Sequence, residues 1–361
     1  MADLATRFTT NPIIRPEDVP PSAPGMVVEC VLNPGAFRYQ GRTGLLMRVA
    51  ERPAQSDHAI STPVIDETSP LGVTILEFLK SDPDLIHGDP RGFHHKGRHY
   101  LTTLSHLRLA WSDNGIVFEI EPRPALMGSG PLEAFGIEDA RVTQIGDEYH
   151  ITYTQVSTDG VGVGLITTRD WKTYQRHGMI IPPFNKDCAL FSERIHGDYV
   201  ALHRPAGNVL NIWIAFSPDA RHWGRHACIC RTRPGMWDEQ RVGGGASPIR
   251  TREGWLQIYH GADNNQRYCL GALLLDLDDP SIVLARSEEP IMEPIAPYEQ
   301  EGFFGNVVFT NGHVVDGDTI TLYYGASDQY VCGAKMSIAE ILASLGRGSA
   351  ADTQQQALAT R

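Results

Sequence analysis

Ala110-Trp-Ser-Asp-Asn-Gly-Ile-Val-Phe118 has two echoes later in the chain, Thr167-Thr-Arg-Asp-Trp-Lys-Thr-Tyr174 and Ala215-Phe-Ser-Pro-Asp-Ala-Arg-His-Trp223. Each runs from a small or polar residue through an Asp and a turn to an aromatic. The Asp residues, Asp113, Asp170 and Asp219, are spaced by 57 and 49 residues. Leu270-Gly-Ala-Leu-Leu-Leu-Asp276 again reads as a strand entering a turn. A repeat near ~50 residues built from several short strands is the mark of propeller blades. Short strand signals recur from Val31 onward, separated by Gly, Pro, Asn and Asp,. Helical periodicity is confined to short pieces such as Gly72–Ser81 and Ile338–Leu345. The expected fold is therefore all-β: a five-bladed β-propeller with an extended N-terminal arm and a short C-terminal helix. A pair of β-sandwiches is the rival. The Pro-rich residues 1–28 form the arm, 29–346 the propeller and 347–361 a flexible tail.

The 361 residues carry a formal net charge of -12, with 42% hydrophobic and 20% charged residues. An acidic chain speaks against nonspecific nucleic-acid binding, which needs basic patches. No apolar run approaches the ~20 residues of a membrane helix, and the polar start Met-Ala-Asp-Leu-Ala-Thr-Arg lacks a signal-peptide core. The six cysteines are scattered in neither zinc nor redox spacing,. They read as buried thiols of a cytoplasmic protein, with no metal and no cofactor expected.

Polar groups cluster where strands begin or end, the usual place for binding and catalysis. Phe135-Gly-Ile-Glu-Asp-Ala-Arg-Val-Thr143 carries adjacent carboxylates, Glu138 and Asp139. In an extended strand they point to opposite faces, so only one of them can face a substrate. Arg141 shares the side of Asp139 and either pairs with it or binds a ligand. Asn185-Lys-Asp187, Leu202-His-Arg-Pro205 and Gly243-Gly-Gly-Ala-Ser-Pro-Ile-Arg250 supply further polar groups. The three glycines would allow a backbone to approach a ligand closely. The plain alternatives are a capping turn carboxylate, a solvated turn and surface ion pairs.

These pieces, with Val31-Leu-Asn-Pro-Gly-Ala36, Leu45-Leu-Met-Arg-Val49, Gly254-Trp-Leu-Gln-Ile-Tyr-His-Gly261, Gly305-Asn-Val-Val-Phe309 and Tyr323-Tyr-Gly-Ala326, resemble glycoside hydrolase family 130. That family comprises mannoside phosphorylases and β-mannosidases on a five-bladed propeller. The resemblance spans about residues 10–345. It implies Asp139 as the catalytic acid, protonating the glycosidic oxygen through a sugar hydroxyl. It implies Lys186, Arg204 and Arg250 as phosphate ligands, and Arg48, Asp187, His203, His260 and Asp328 as substrate contacts. Ala140 stands where the family usually has Pro, and Ser327-Asp-Gln-Tyr330 departs from the phosphorylase pattern. The implied reaction is inverting phosphorolysis of β-mannosides to α-mannose 1-phosphate, with inorganic phosphate as co-substrate. An inverting β-mannosidase would need a second carboxylate as base, for which Glu193, Asp238 and Glu239 are candidates. A noncatalytic glycan-binding propeller is the third reading. The expected partners are a β-mannoside and phosphate, with no nucleic acid or membrane; a homo-oligomer is allowed.

Overall fold

The computed structural model describes residues 3–70, 72–87 and 92–345. The expected tail at 347–361 lies outside them. The architecture is all-β, as expected. Five antiparallel sheets follow one another along the chain, each a meander. Sheet I contains Met26–Tyr39, Arg42–Pro53, Leu104–Ser112 and Glu119–Ile120. Sheet II contains Ile137–Ile145, Glu148–Ser157, Gly160–Thr168 and Gln175–Ile181. Sheet III contains Asn185–Leu190, Tyr199–Pro205, Ile212–Ser217 and Gly224–Cys230. Sheet IV contains Arg241–Gly244, Trp255–Ala262, Tyr268–Leu275 and Val283–Arg286, with Ile249–Arg250 beside its second strand. Sheet V contains Val308–Asp316, Thr319–Ala326, Tyr330–Ser337 and, as its outer strand, Thr6–Arg7 from the N-terminal arm. Neighbouring sheets touch in chain order, and Val308–Asp316 of sheet V packs back on Met26–Tyr39 of sheet I.

The repeat read in the sequence has a local cause. After the third strand of a sheet, one Asx side chain closes the hairpin by accepting two backbone N–H groups. Asp170 Oδ1 accepts from Lys172 and Thr173 at 2.9 and 2.7 Å. Asp219 Oδ1 accepts from Arg221 and His222, both at 2.9 Å, and Asp276 Oδ1 from Asp278 and Asp279, both at 2.9 Å. In sheet I the role passes from Asp113 to Asn114, whose Oδ1 accepts from Ile116 and Val117 at 2.9 Å each. These are Asx turns, which fix the chain direction with a short polar side chain. The aromatic that follows then closes the seam to the preceding sheet. Trp171 of sheet II stacks on Phe37 of sheet I, centroids 3.6 Å apart and 8° from parallel. Trp223 of sheet III packs on the Val163, Leu165 and Ile180 cluster of sheet II. Phe118 of sheet I meets Tyr323 of sheet V edge-on at 5.6 Å.

Two local expectations change. Val73–Leu79 is a strand paired with Ala59–Ile65, not part of a helix over 72–81. Its faces alternate in exposure, and β-branched and aromatic residues favour that pleated arrangement. The arm is also not wholly separate. Thr6–Arg7 completes sheet V, Ile14 bridges Val331, and Met26 already belongs to sheet I. The short C-terminal helix is Ile338–Ser344, capped by Ser337 accepting from Glu340 N.

Removing a seam aromatic should weaken the whole assembly. Trp171→Ala is expected to cost about 3 kcal/mol, the usual loss for emptying a large buried aromatic site. Chemical denaturation would measure it; a loss below ~1 kcal/mol would show that the seam does not depend on this ring.

Candidate functional site

The first strands of sheets I, II and III carry the same distortion. Asn33, Asp139 and Asp187 adopt φ values of 46°, 52° and 55°. A register shift follows in each strand: Leu32 to Gly35, Glu138 to Arg141, and Lys186 to Ala189. Left-handed backbone is costly for most L-residues, and Asn and Asp tolerate it best. Such bulges re-aim side chains beside active sites. Here they defeat the period-2 reading of the paired carboxylates. Glu138 and Asp139 do not point apart: Arg48 Nη2 donates to Glu138 Oε1 at 2.7 Å and Nη1 to Asp139 Oδ1 at 3.2 Å. Asn33 Nδ2 donates to the same Asp139 oxygen at 3.0 Å.

Asp139 is buried, which by itself would raise its pKa. Arg48, Lys186 and the Asn33 amide outweigh burial and hold it below the usual carboxylate range,. Arg141 does not pair with the Asp139 carboxylate. Its guanidinium donates to the backbone oxygens of Asp139 at 3.0 Å, Gly244 at 2.9 Å and Gly245 at 2.8 Å, and to Asp187 Oδ1 at 3.1 Å. Asp187 Oδ2 faces Arg204 Nε at 3.0 Å, out of hydrogen-bond alignment, so both atoms are buried without an aligned partner. Burial opposes the charge on Asp187, yet Arg204, His260 and Arg141 drive its pKa well below the usual value. His260 lies 3.5 Å from Asp187 Oδ2 and 3.4 Å from Arg204 Nη1. Burial lowers its pKa to about 4, so the ring is neutral at pH 7 and its contact with Asp187 is not an ion pair. Lys186 and Arg204 are direct cross-strand partners.

Apart from Arg141, these side chains line a cavity of about 740 Å³. Of the residues singled out from sequence, Arg48, Asp139, Lys186, Asp187, Arg204, His260 and Asp328 border it. Two expected residues do not. Arg250 opposes Trp255, five residues and about 17 Å along the strand from His260,; it pairs instead with Glu193 at 2.7 Å and is 57% exposed. His203 alternates away from Arg204 and bonds Asn185 Oδ1 at 3.1 Å and His226 Nδ1 at 3.0 Å. The glycines at 243–245 admit protein groups rather than a ligand. A Cβ on Gly243 would sit 2.4 Å from His260 Nε2 and 2.5 Å from Asp187 Oδ2. The sequence reading also missed cavity residues: Asn33, Glu138, Arg241 and Tyr268. Asn33 carries a usable signal, an Asn in an apolar strand directly before Pro-Gly. Arg241 donates to Tyr268 Oη at 2.6 Å and Gln266 Oε1 at 3.1 Å.

Among the described residues, no group of three or more His, Cys, Asp or Glu is placed to hold a metal, and no helix is long and apolar enough to cross a membrane. The cysteines are unpaired thiols, most of them buried.

In this all-β chain a carboxylate and a cationic cluster share one cavity. The chain belongs to glycoside hydrolase family 130: the family model described as beta-1,4-mannooligosaccharide phosphorylase matches residues 92–347. It is 45% identical over 347 residues to the beta-1,2-mannobiose phosphorylase of Listeria innocua serovar 6a, covering 94% of this chain and 98% of that one. It is 41% identical over 245 residues to the 1,2-beta-oligomannan phosphorylase of Thermoanaerobacter sp. strain X514, covering 67% of this chain and 82% of that one. The solved Listeria innocua enzyme in complex with beta-1,2-mannobiose superposes with a TM-score of 0.91 at 44% identity, over 94% of this chain and 99% of that one.

The Asp187 bracket should be visible in stability. Asp187→Asn leaves Arg141 and Arg204 buried without their counter-charge, a loss of ~3–5 kcal/mol at pH 7. A depressed folded pKa stabilises above the unfolded value of about 3.9 and is lost as pH falls through the folded value. The variant should therefore lose stability less steeply than wild type below about pH 4. Parallel curves of melting temperature against pH would contradict this.

Proposed function

We propose that this chain is an inverting mannoside phosphorylase, and that its five sheets are the blades of a propeller with the cavity at one axial end. The N-terminal strand Thr6–Arg7 then closes the ring by joining the last blade. The observation that carries the activity is the pairing of Asp139 with Lys186 and Arg204 in one cavity. Inorganic phosphate is the co-substrate, and no other cofactor is required.

Asp139 serves as the acid. Asn33 and Arg48 both bond Oδ1, which leaves Oδ2 to carry the proton. In the unliganded site Lys186 helps to keep Asp139 ionised. A phosphate anion at Lys186 and Arg204 offsets that positive field, so protonation of Asp139 becomes easier when phosphate is bound. Phosphate oxygen then attacks the anomeric carbon and forms the new C–O bond. The glycosidic C–O bond breaks on the opposite face, and the Asp139 proton passes to the departing oxygen, directly or through a sugar hydroxyl. The products are α-mannose 1-phosphate and a shortened acceptor. Asp187 holds Arg204 and His260 in place for the anion. Guanidinium groups suit such oxyanions because they can donate two hydrogen bonds at once.

The geometry disfavours hydrolysis by the bases considered from sequence. Glu193 is engaged by Arg250 and Glu239 accepts from Gly235 N. Asp238 is fully buried among Arg233, Arg286 and Tyr259. None of the three borders the cavity. A noncatalytic glycan binder would have no use for an acid held between cations.

Steady-state kinetics with β-1,2-mannobiose and phosphate test the assignment. Asp139→Asn keeps the shape but cannot deliver a proton, so kcat should fall ~10²–10⁴-fold. Lys186→Ala or Arg204→Ala should raise the KM for phosphate about tenfold or more, because a lost charge-assisted bond is worth over ~1.4 kcal/mol. The KM for mannobiose should move much less. Arg250→Ala, outside the cavity, should change neither constant beyond about twofold, within the usual range for surface substitutions. An Arg250→Ala effect equal to that of Arg204→Ala would sink the proposed cradle.

A further inference from the structure

Sheet V repeats the register shift found at the site. In its first strand the shift falls between Thr310 and Gly312, which places Asn311 on a bulge. Thr310 Oγ1 closes that bulge, donating to Tyr323 O at 2.8 Å and accepting from Gly312 N at 3.3 Å. An Asn or Asp thus marks the first strand of four sheets, at Asn33, Asp139, Asp187 and Asn311. Asn311 differs from the other three. It is 1% exposed and does not line the cavity.

The bulge of sheet V is fitted to the bulge of sheet I. A Cβ on Gly312 would lie 2.2 Å from Ala36 N and 2.5 Å from Pro34 O, and one on Gly325 would lie 2.2 Å from Asn33 Oδ1. Only glycine permits so close an approach. Across this contact Asn311 Nδ2 donates to the Asn33 carbonyl at 3.2 Å. Asn33 and Pro34 lie where the ladder with Arg42–Pro53 is interrupted, and the donor for that carbonyl comes from sheet V. Asn33 Nδ2 in turn donates to Asp139 Oδ1 at 3.0 Å. Chemistry sets both amide orientations: a backbone carbonyl and an ionised carboxylate only accept, so an NH2 group must face each.

Stability alone does not account for the pair. Neither amide Oδ1 meets a donor among the described residues, and a buried polar atom left so is a cost to folding. Apolar side chains of similar shape would avoid that cost. What the two amides supply is direction. Asn311 holds the Asn33 backbone at its φ of 46°, and that backbone sets where the Asn33 amide points.

We propose that Asn311 is a positioning residue for the acid: by holding the Asn33 carbonyl it sets the amide that holds Oδ1 of Asp139, and so reserves Oδ2 for the proton. The line runs from sheet V through sheet I to sheet II and begins outside the cavity. It rests on the phosphorylase reading for the role of Asp139 as the acid.

One test is independent of turnover. Carbon NMR of the full chain labelled at its Asp carboxyls follows the titration of Asp139, whose resonance the Asp139→Asn variant identifies. Arg48, Lys186 and Arg141 act on the same carboxylate, and Glu138 shares Arg48 with it; Asn311 variants alter none of them. The Asn33 bond favours the ionised form of Asp139,. Asn311→Ala should therefore move the midpoint upward by about half a pH unit. Asn311→Ser keeps a polar group on the bulge but is too short to hold Asn33, and should give the same shift if Asn311→Ala does not fold. An unchanged midpoint would overturn the proposal. In steady state with β-1,2-mannobiose and phosphate, Asn311→Ala should lower kcat about fivefold and leave the KM for phosphate within about twofold. Asp139 acts protonated, so its raised pKa should also carry the alkaline limb of the kcat profile to higher pH. A loss equal at every pH would show a merely structural role. In the Asn33→Ala background, Asn311→Ala should change kcat by less than about twofold, because the two act in one line; multiplied losses would contradict it. If the wild type consumes mannobiose without forming sugar phosphate, the phosphorylase reading falls, and the Asp139 midpoint still decides whether Asn311 positions that carboxylate.

Discussion

The Arg141 guanidinium is the constraint on which the site depends. It is 1% exposed, and a charge so placed is tolerable only when its donors are engaged,. It arises from sheet II, takes the backbone oxygens of Gly244 and Gly245 where sheet IV begins, and reaches Asp187 of sheet III. Three sheets are therefore tied at one cation. The same cation accepts no alternative position for Asp139, whose carbonyl it also binds. The unusual φ of Asp139 is a local cost that this surrounding network offsets,. From Arg141 the order passes outward: Asp187 is fixed, and Asp187 in turn fixes Arg204 and His260.

The electrostatic result is a cavity with two characters inside an acidic protein. Around Arg48 gather Glu138, Asp139 and Asp328, the carboxylates that act on its charge. Lys186 and Arg204 sit together as a cross-strand pair. Asp139 lies between these fields and responds to both Arg48 and Lys186. This couples the proton affinity of the acid to whatever occupies the cationic part. Under the proposed mechanism, an anion at Lys186 and Arg204 would ease the protonation of Asp139,. The neutral state of His260 serves the same end, since a charged imidazole beside Arg204 would add repulsion to a site already rich in cations.

Much of this was legible in the sequence where the chemistry is local. The Asp-to-aromatic repeat could be read because an Asx turn needs only neighbouring residues, and Trp171 follows Asp170 directly. Lys186 and Arg204 could be found as polar strand-end residues, and pairing across one hairpin brings them together. Glu138 was lost for a different reason. Alternation assumes a regular strand, and at the left-handed residue Asp139 the carboxylate is held by Asn33 and Arg48 of sheet I. Arg250 was misplaced because both ends of a strand look alike in sequence. Only the antiparallel register shows that His260, not Trp255, lies at the cavity end, and that Arg241 enters there instead. The helix expected at 72–81 failed because pairing with Ala59–Ile65 overrode a short and ambiguous pattern,. His203 could have been excluded earlier, since alternation alone sets it opposite Arg204.

The claim that joins fold, charge and chemistry is that phosphate, not water, takes the mannosyl group. Incubation of the protein with β-1,2-mannobiose across a range of phosphate concentrations, followed by phosphorus and proton NMR of the products, measures this directly. The account predicts α-mannose 1-phosphate and free mannose in equal amounts, at a rate that rises with phosphate and saturates. Two molecules of free mannose per disaccharide, formed at a rate indifferent to phosphate, would contradict it.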